Sequence, residues 1–196
     1  MALHIDYEIR WKNFRAFEDT GWIVIRPLTI LIGPNNSGKS SILAPLLLMS
    51  QTMSSRDSIT PLVTRGPLID VGIFKDFIHK HDTSRSLYLG FRYHVHEPHD
   101  YKGKIEGIGS YPPGALEVTF TVGKRPEDLI LSRFELSDIF KRPFLTQWRD
   151  PGGKYRVGGQ YFRQKKSNRL KRAEREVIRT TSPVNFLFSP AALINA

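Results

Sequence analysis

Residues 33–40 place a glycine-rich turn before a lysine and a serine, in the order Gly-Pro-Asn-Asn-Ser-Gly-Lys-Ser. This order matches the Walker A pattern G-x-x-x-x-G-K-[ST]. Gly33 and Gly38 permit backbone angles that a Cβ would forbid, so main-chain N–H groups can approach phosphate oxygens. The Lys39 ammonium can contact the β- and γ-phosphates, and the Ser40 hydroxyl can ligate a bridging magnesium ion. The spacing therefore predicts a site for a nucleoside triphosphate with Mg²⁺.

A phosphate loop of this kind needs a strand that leads into it and a helix that leaves it. Residues 28–32 (Leu-Thr-Ile-Leu-Ile) are almost wholly apolar, which predicts a strand buried on both faces. Residues 39–53 predict a helix that is apolar nearly all round, and such a helix should be buried against a sheet. Pro45 lies inside this helix and predicts a bend, because an interior proline removes a helical hydrogen bond.

The remaining elements are predicted from β-rich stretches and from the turn residues that separate them. The Ser-, Thr- and Gln-rich residues 50–61 predict a surface loop. Alternating or β-branched stretches predict further strands at 4–13, 22–26, 86–95, 115–122, 129–136 and 155–162.

Composition limits the class of protein. The 196 residues include 29 Lys/Arg and 19 Asp/Glu, and the net charge of +10 favours anionic partners such as nucleotides or nucleic acid. The absence of cysteine excludes disulfides, thiolate metal sites and a cysteine nucleophile, and it fits the cytoplasm. The longest apolar run, residues 42–49, is far shorter than the roughly 20 residues that span a bilayer, so we expect no membrane segment.

The sequence around the phosphate loop resembles the opening of ABC-type ATPases of the SMC, RecF and OLD families. The resemblance is carried by residues 33–41 (Gly-Pro-Asn-Asn-Ser-Gly-Lys-Ser-Ser), by residues 28–32 and by residues 13–17 (Asn-Phe-Arg-Ala-Phe). Residues 61–76 resemble a narrower group, the bacterial AAA family ATPases, many of which are found beside defence systems against phage.

The resemblance implies an α/β fold, namely the first lobe of an ABC-type P-loop NTPase head with a mixed sheet and an antiparallel β-subdomain. On this basis we assign residues 1–60 to the nucleotide-binding core and residues 61–162 to the β-rich subdomain. Residues 163–196 form a basic segment that we expect to lead into a further, C-terminal half of the ATPase.

The same resemblance implies ATP and Mg²⁺ as cofactors. It also implies a homodimer or other pairing of ATPase heads around ATP, with DNA or an effector protein as a further partner. The implied role is DNA maintenance, repair or anti-phage defence. By position, Ser40 would hold the metal and Arg15 would lie near the nucleotide. The expected nucleotide-binding residues are Gly33, Pro34, Asn35, Asn36, Ser37, Gly38, Lys39, Ser40, Ser41 and Arg15.

Two motifs that the resemblance requires are missing from the sequence. A Walker B strand has four apolar residues before Asp-Glu, and the nearest match, Leu68-Ile69-Asp70, lacks both the apolar run and the glutamate. Residues 136–138 do not match a Leu-Ser-Gly-Gly signature. We therefore expect weak nucleotide binding and poor hydrolysis by this chain alone. Two alternatives remain: a non-hydrolysing nucleotide-binding or partner-docking module, and a small-molecule kinase. A GTPase is disfavoured, because the sequence lacks the Asn-Lys-x-Asp motif that reads the guanine base.

The basic stretch 163–179 contains eight Lys/Arg and two Glu, with apolar residues at helical spacing. This pattern predicts a short amphipathic helix, which is either a solvated face or a surface that follows a DNA backbone. The candidate nucleic-acid contacts are Lys165, Lys166, Lys171 and Arg172. Histidines near residues 79–81 and 94–99 leave a zinc site open, although their spacing specifies none.

Overall fold

The computed structural model describes residues 5–55, 60–95, 113–125, 128–158 and 178–180. Within these residues, nine strands form one antiparallel sheet in the order β2-β1-β4-β5-β6-β7-β8-β9, with β3 paired to β1. The strands are β1 Ile5–Phe14, β2 Phe17–Asp19, β3 Ile23–Ile25, β4 Leu87–Val95, β5 Pro113–Val122, β6 Leu129–Asp138, β7 Pro143–Arg149, β8 Tyr155–Gly158 and β9 Ile178–Thr180.

Alternation along the strands gives the sheet one apolar face. Trp11 on β1 pairs with Leu89 on β4, Leu89 pairs with Val118 on β5, and Val118 pairs with Phe134 on β6. All four side chains are buried and belong to the core. Because successive side chains of a strand point to opposite faces, the charged neighbours of these residues line the other face. The row of four side chains holds together the middle of the sheet.

Helix α1, Lys39–Ser54, packs its buried side against this apolar face. The indole Nε1 of Trp11 donates a buried hydrogen bond of 2.9 Å to the carbonyl oxygen of Ile42, which ties α1 to β1. Pro45 lies inside the helix and is buried. The helix predicted over 39–53 is confirmed. Its burial on all sides is not, because Leu43 and Leu47 are exposed to solvent.

The C-terminal end of α1 is tied to residues 61–71, which we call the 61–71 loop. The buried Gln51 donates from Nε2 to the carbonyl oxygens of Val63 (2.6 Å) and Ile69 (3.1 Å). Its Oε1 accepts the Ile69 N–H at 3.1 Å. The hydroxyl of Thr52 accepts the Val63 N–H at 2.9 Å. These bonds satisfy backbone groups of the loop that would otherwise be buried without partners.

A short helical segment follows this loop and packs on the first strand. It consists of helix α2, Phe74–Phe77, and a 3₁₀ turn, His79–His81. Phe77 contacts Phe74 edge-on with a centroid separation of 5.5 Å, and it contacts Phe14 of β1 at 5.9 Å. All three rings are buried. The segment therefore supports the end of β1, where the chain turns into β2.

The strand predicted over 28–32 is wrong, because these residues have no regular secondary structure and pair with no strand in the described part of the chain. Leu28, Ile30 and Ile32 are 79%, 69% and 91% exposed, while Leu31 packs against the core. A strand needs a neighbour that satisfies its N–H and C=O groups. The apolar pattern was correctly recognised, but none of the described strands lies alongside it.

The other strand predictions are confirmed to within a few residues, except that β8 is described only to Gly158 and residues 159–162 lie outside the described residues. The predicted loop over 50–61 is wrong in its first part, since α1 continues to Ser54. All strand pairings in the described residues are antiparallel, so the mixed sheet stays a prediction. The boundary after residue 60 also stays a prediction, although β1 and β4, on either side of it, are neighbours in one sheet.

Candidate functional site

The phosphate loop, residues 33–40, leads directly into α1. Asn36 and Gly38 adopt left-handed backbone angles, with φ of 63° and 89°. The Ser37 N–H donates to the Pro34 carbonyl at 3.3 Å and closes a turn, while the Gly38 carbonyl accepts the N–H groups of Ser41 and Ile42 and starts the helix. Glycine at position 38 therefore combines a tight turn with the first residue before a helix.

The ring of Phe17 packs on the phosphate loop at Gly38. A Cβ placed on Gly38 would lie 2.7 Å from Phe17 Cζ and 3.1 Å from Phe17 Cε2, which is closer than carbon atoms pack. Gly38 is thus required twice, once for its backbone angle and once for the space under the ring. We did not predict a role for Phe17 from sequence, and its position in the Asn-Phe-Arg-Ala-Phe element was the only available signal.

The Lys39 side chain folds back over the loop. Its Nζ donates to the carbonyl oxygens of Gly33 (2.7 Å) and Pro34 (2.5 Å). These neutral acceptors hold the ammonium against the first two residues of the loop. Phosphate oxygens are stronger acceptors for an ammonium, because both partners then carry charge.

The first turn of α1 is free to bind an anion. Gly38 has no side chain to cap the helix, and the first turn contains no acidic residue. The N–H groups at the start of a helix lack helical partners, and the helix dipole adds positive partial charge there. Ser40 is exposed, and its hydroxyl makes no hydrogen bond to a described residue. This hydroxyl fits a Mg²⁺ ion, which takes oxygen ligands and is commonly shared with phosphates.

Asp70, the nearest match to a Walker B carboxylate in the sequence, lies away from this loop. Its neighbour Ile69 is bonded to Gln51, which is eleven residues beyond Ser40 on α1 and therefore about 16 Å further along the helix axis. Asp70 Oδ1 accepts the Gly72 N–H at 2.8 Å and lies 3.7 Å from Nε of Arg65. Asp70 therefore has a local role in the 61–71 loop.

Arg15 lies at the tip of the β1–β2 hairpin, two residues before Phe17. Its N–H donates to the Phe77 carbonyl at 2.7 Å, and its own carbonyl contacts Nδ1 of His79 at 2.8 Å. Its guanidinium lies 5.5 Å from the Phe14 ring centroid and pairs with no carboxylate in the described part of the chain. The hairpin thus brings an unpaired cation to the same tip that places Phe17 on the loop.

Ion pairs fasten the base of this hairpin. Arg10 on β1 donates from Nε and Nη2 to the two carboxylate oxygens of Asp19 on β2, at 2.8 Å and 2.5 Å. These bonds lower the pKa of Asp19 to about 2. Arg85 Nη1 donates to Glu18 at 2.9 Å and lowers the pKa of that carboxyl. Both carboxylates therefore stay ionised and paired at neutral pH.

The other predicted contacts are not placed by the structure. Lys165, Lys166, Lys171 and Arg172 lie outside the described residues. Among the residues that are described, no group of three or more His, Asp or Glu side chains could hold a metal ion. No helix in the described ranges is long and apolar enough to cross a membrane.

Comparison with known families agrees with this site. A family model described as an AAA ATPase domain matches residues 7–176, which include the phosphate loop, α1 and the strands β2 to β8. No curated protein matches the chain. The matched range covers most of the sequence, and the family description supports ATP binding by a P-loop NTPase. The chain belongs to the AAA ATPase domain family.

Proposed function

We propose that this chain is the ATP-binding, N-terminal part of an ABC-type ATPase of the SMC, RecF and OLD group. The observation that carries the proposal is the phosphate loop at the uncapped start of α1, where Lys39 and an exposed Ser40 follow the left-handed Gly38. Three kinds of group, namely backbone amides, an ammonium and a hydroxyl, meet in one turn. A triphosphate with its metal ion needs this combination.

The residues of the chain divide the binding task. The amides of the loop and of the first helical turn donate to phosphate oxygens, and the Lys39 ammonium exchanges the carbonyls of Gly33 and Pro34 for the β- and γ-phosphates. Ser40 would hold Mg²⁺, which supplies neutralisation of phosphate charge when bound. Gly38 lets the backbone approach the phosphates without obstruction.

Hydrolysis requires a group that positions the attacking water. The sequence has no Walker B motif, and its nearest match, Asp70, lies in the 61–71 loop and is hydrogen-bonded to its neighbour Gly72. We therefore propose that this chain binds ATP and hydrolyses it poorly by itself. A nucleotide-binding module that docks a partner without hydrolysis is the second candidate, and the same absence favours it. A small-molecule kinase is supported only by the loop that all these classes share.

Pairing of two ATPase heads is supported by the apolar surface next to the loop. Leu28, Ile30 and Ile32 are exposed on the segment before the loop, which pairs with no described strand, and Leu43 and Leu47 are exposed on α1 after the loop. Exposed apolar patches mark protein–protein contacts. We propose that the second ATPase head of the pair covers this surface.

A role with DNA, in maintenance or in anti-phage defence, rests on the resemblance and on the net charge of +10. Charge reversal at Lys165, Lys166, Lys171 and Arg172 should weaken duplex DNA binding and reduce its salt dependence, because each lost phosphate contact lowers the slope by roughly one. Lys39→Ala should leave this binding intact. The measurement is the affinity for duplex DNA from low to high salt. Equal affinities of the charge-reversal variant and Lys39→Ala would exclude the basic stretch as the DNA contact.

Lys39→Ala tests the nucleotide site itself. We expect the affinity for ATP with Mg²⁺ to fall at least about tenfold, because a charge-assisted contact to phosphate is lost. Lys124→Ala is the matched control, since Lys124 is an exposed lysine on the turn after β5, outside the phosphate loop. Titration calorimetry that gives equal affinities for wild type and Lys39→Ala would contradict ATP binding at this loop.

A further inference from the structure

The tip of the β1–β2 hairpin is held in an unusual backbone conformation. Asn13 and Arg15 both have left-handed angles, with φ of 57° and 48°. Asparagine tolerates this region, whereas arginine rarely adopts it. Residues in such conformations persist where their surroundings hold them, and they are concentrated at functional sites. The question is therefore what holds the turn and what the turn positions.

Four hydrogen bonds hold this turn from the segment that follows α1. The Phe77 carbonyl accepts the Arg15 N–H, and His79 Nδ1 meets the Arg15 carbonyl at 2.8 Å. The Asn13 side chain donates to the Ser86 carbonyl and accepts from Arg85. His79 is only 9% exposed. Since a carbonyl oxygen can only accept, His79 is the donor and carries its proton on Nδ1.

The turn at Arg15 positions the Phe17 ring on the phosphate loop and the Arg15 guanidinium at the hairpin tip. Phe17 pairs with Phe14 across the hairpin and packs on Gly38. The guanidinium of Arg15 has no carboxylate partner in the described residues and lies over the Phe14 ring. None of the contacts that the structure describes for His79 joins it to residues 33–40. Any effect of His79 on nucleotide binding must therefore pass through the turn.

We propose that His79 is a positioning residue of the nucleotide site, which holds the strained turn at Arg15 and thereby keeps Phe17 on Gly38 and the Arg15 cation at the hairpin tip. This inference rests on the proposed ATP binding at residues 33–40. Without the His79 bond, the left-handed Arg15 relaxes, the Phe17 ring moves off Gly38, and the loop loses the conformation that phosphate requires.

The test compares His79→Asn, His79→Gln and His79→Leu in the full chain. The Asn amide N–H can replace Nδ1–H as donor to Arg15, whereas the Gln amide is one bond longer and Leu has no donor. We expect His79→Leu and His79→Gln to weaken binding of ATP with Mg²⁺ about tenfold, the scale of one lost buried hydrogen bond, and His79→Asn to stay near wild type. His81→Leu is the matched control, because His81 Nδ1 also bonds a backbone carbonyl, that of Lys75, at an exposed site.

A second readout needs no nucleotide. The amide chemical shift of Gly38 reports the nearby Phe17 ring, and it should move in His79→Leu and His79→Gln and stay in place in His79→Asn and His81→Leu. An unmoved Gly38 resonance in folded His79→Leu overturns the inference, as does an Asn variant that is as weak as the Leu variant. A wild type that fails to bind ATP while the Gly38 resonance still responds to His79 refutes the proposed function and leaves the positioning role standing.

Discussion

Gly38 shows at the scale of one residue how shape and chemistry coincide in the site. Its φ of 89° excludes most side chains, and the Phe17 ring occupies the space of a Cβ. Its N–H and those after it open α1 without a cap. A single added methyl group therefore strains the backbone and displaces an aromatic ring, which disturbs the loop that phosphate would contact.

Gly38→Ala should therefore reduce ATP affinity by more than about tenfold and destabilise the fold, because a left-handed alanine alone costs on the order of 1–2 kcal/mol. Gly21→Ala is the matched control, since Gly21 has a φ of 64° but no atom within 4 Å of its Cβ position. We expect Gly21→Ala to lose stability and to keep its ATP affinity. Equal ATP affinities of the two variants in calorimetry would show that the Phe17 contact does not matter.

Helix α1 is the element that connects the phosphate loop to the 61–71 loop. It begins at the phosphate loop, crosses the apolar face at Trp11 and ends in the hydrogen bonds of Gln51 with the 61–71 loop. Those bonds are buried, and burial makes an unmade hydrogen bond expensive. The stability of the 61–71 loop should thus depend on a single amide side chain.

Gln51→Leu should lower the free energy of unfolding by roughly 2–4 kcal/mol, because backbone groups of Val63 and Ile69 lose buried partners. Gln147→Leu is a matched control, since Gln147 is equally buried but its Oε1 has no hydrogen-bond partner among the described residues. We expect that change to be nearly neutral or stabilising. Urea denaturation curves that shift equally for both variants would contradict the importance of the Gln51 bonds.

Sequence patterns predicted these elements unevenly, for physical reasons. Alternation identified β1 and the central strands because one face of each is buried. The strand β7 was missed, since it starts with Pro143 and its polar residues weaken the alternation. The apolar pattern of residues 28–32 predicted burial, but it could not show which element would pack against them. The phosphate loop was predicted because its chemistry is local, whereas the Phe17 contact joins residues 21 positions apart and required the fold.

At the scale of the whole molecule, the proposed pairing predicts that ATP brings two heads together. Light scattering should then show a larger mass with ATP and Mg²⁺ than without, and Ile30→Asp should abolish the increase by placing a charge in the contact. Leu68→Asp is the control, because Leu68 is also an exposed apolar residue but lies in the 61–71 loop at the far end of α1. A constant mass with saturating ATP would exclude pairing by this chain.

The exposed apolar side chains of residues 28–32 also affect how the protein behaves in solution. Exposed apolar side chains that lie close together favour self-association of copies. The net charge of +10 keeps copies apart by mutual repulsion. Salt shortens the reach of that repulsion, from about 8 Å at physiological ionic strength to about 3 Å at 1 M. Concentrated salt therefore removes the barrier that keeps these apolar side chains of different copies apart, and the chain stays dispersed best in dilute buffer.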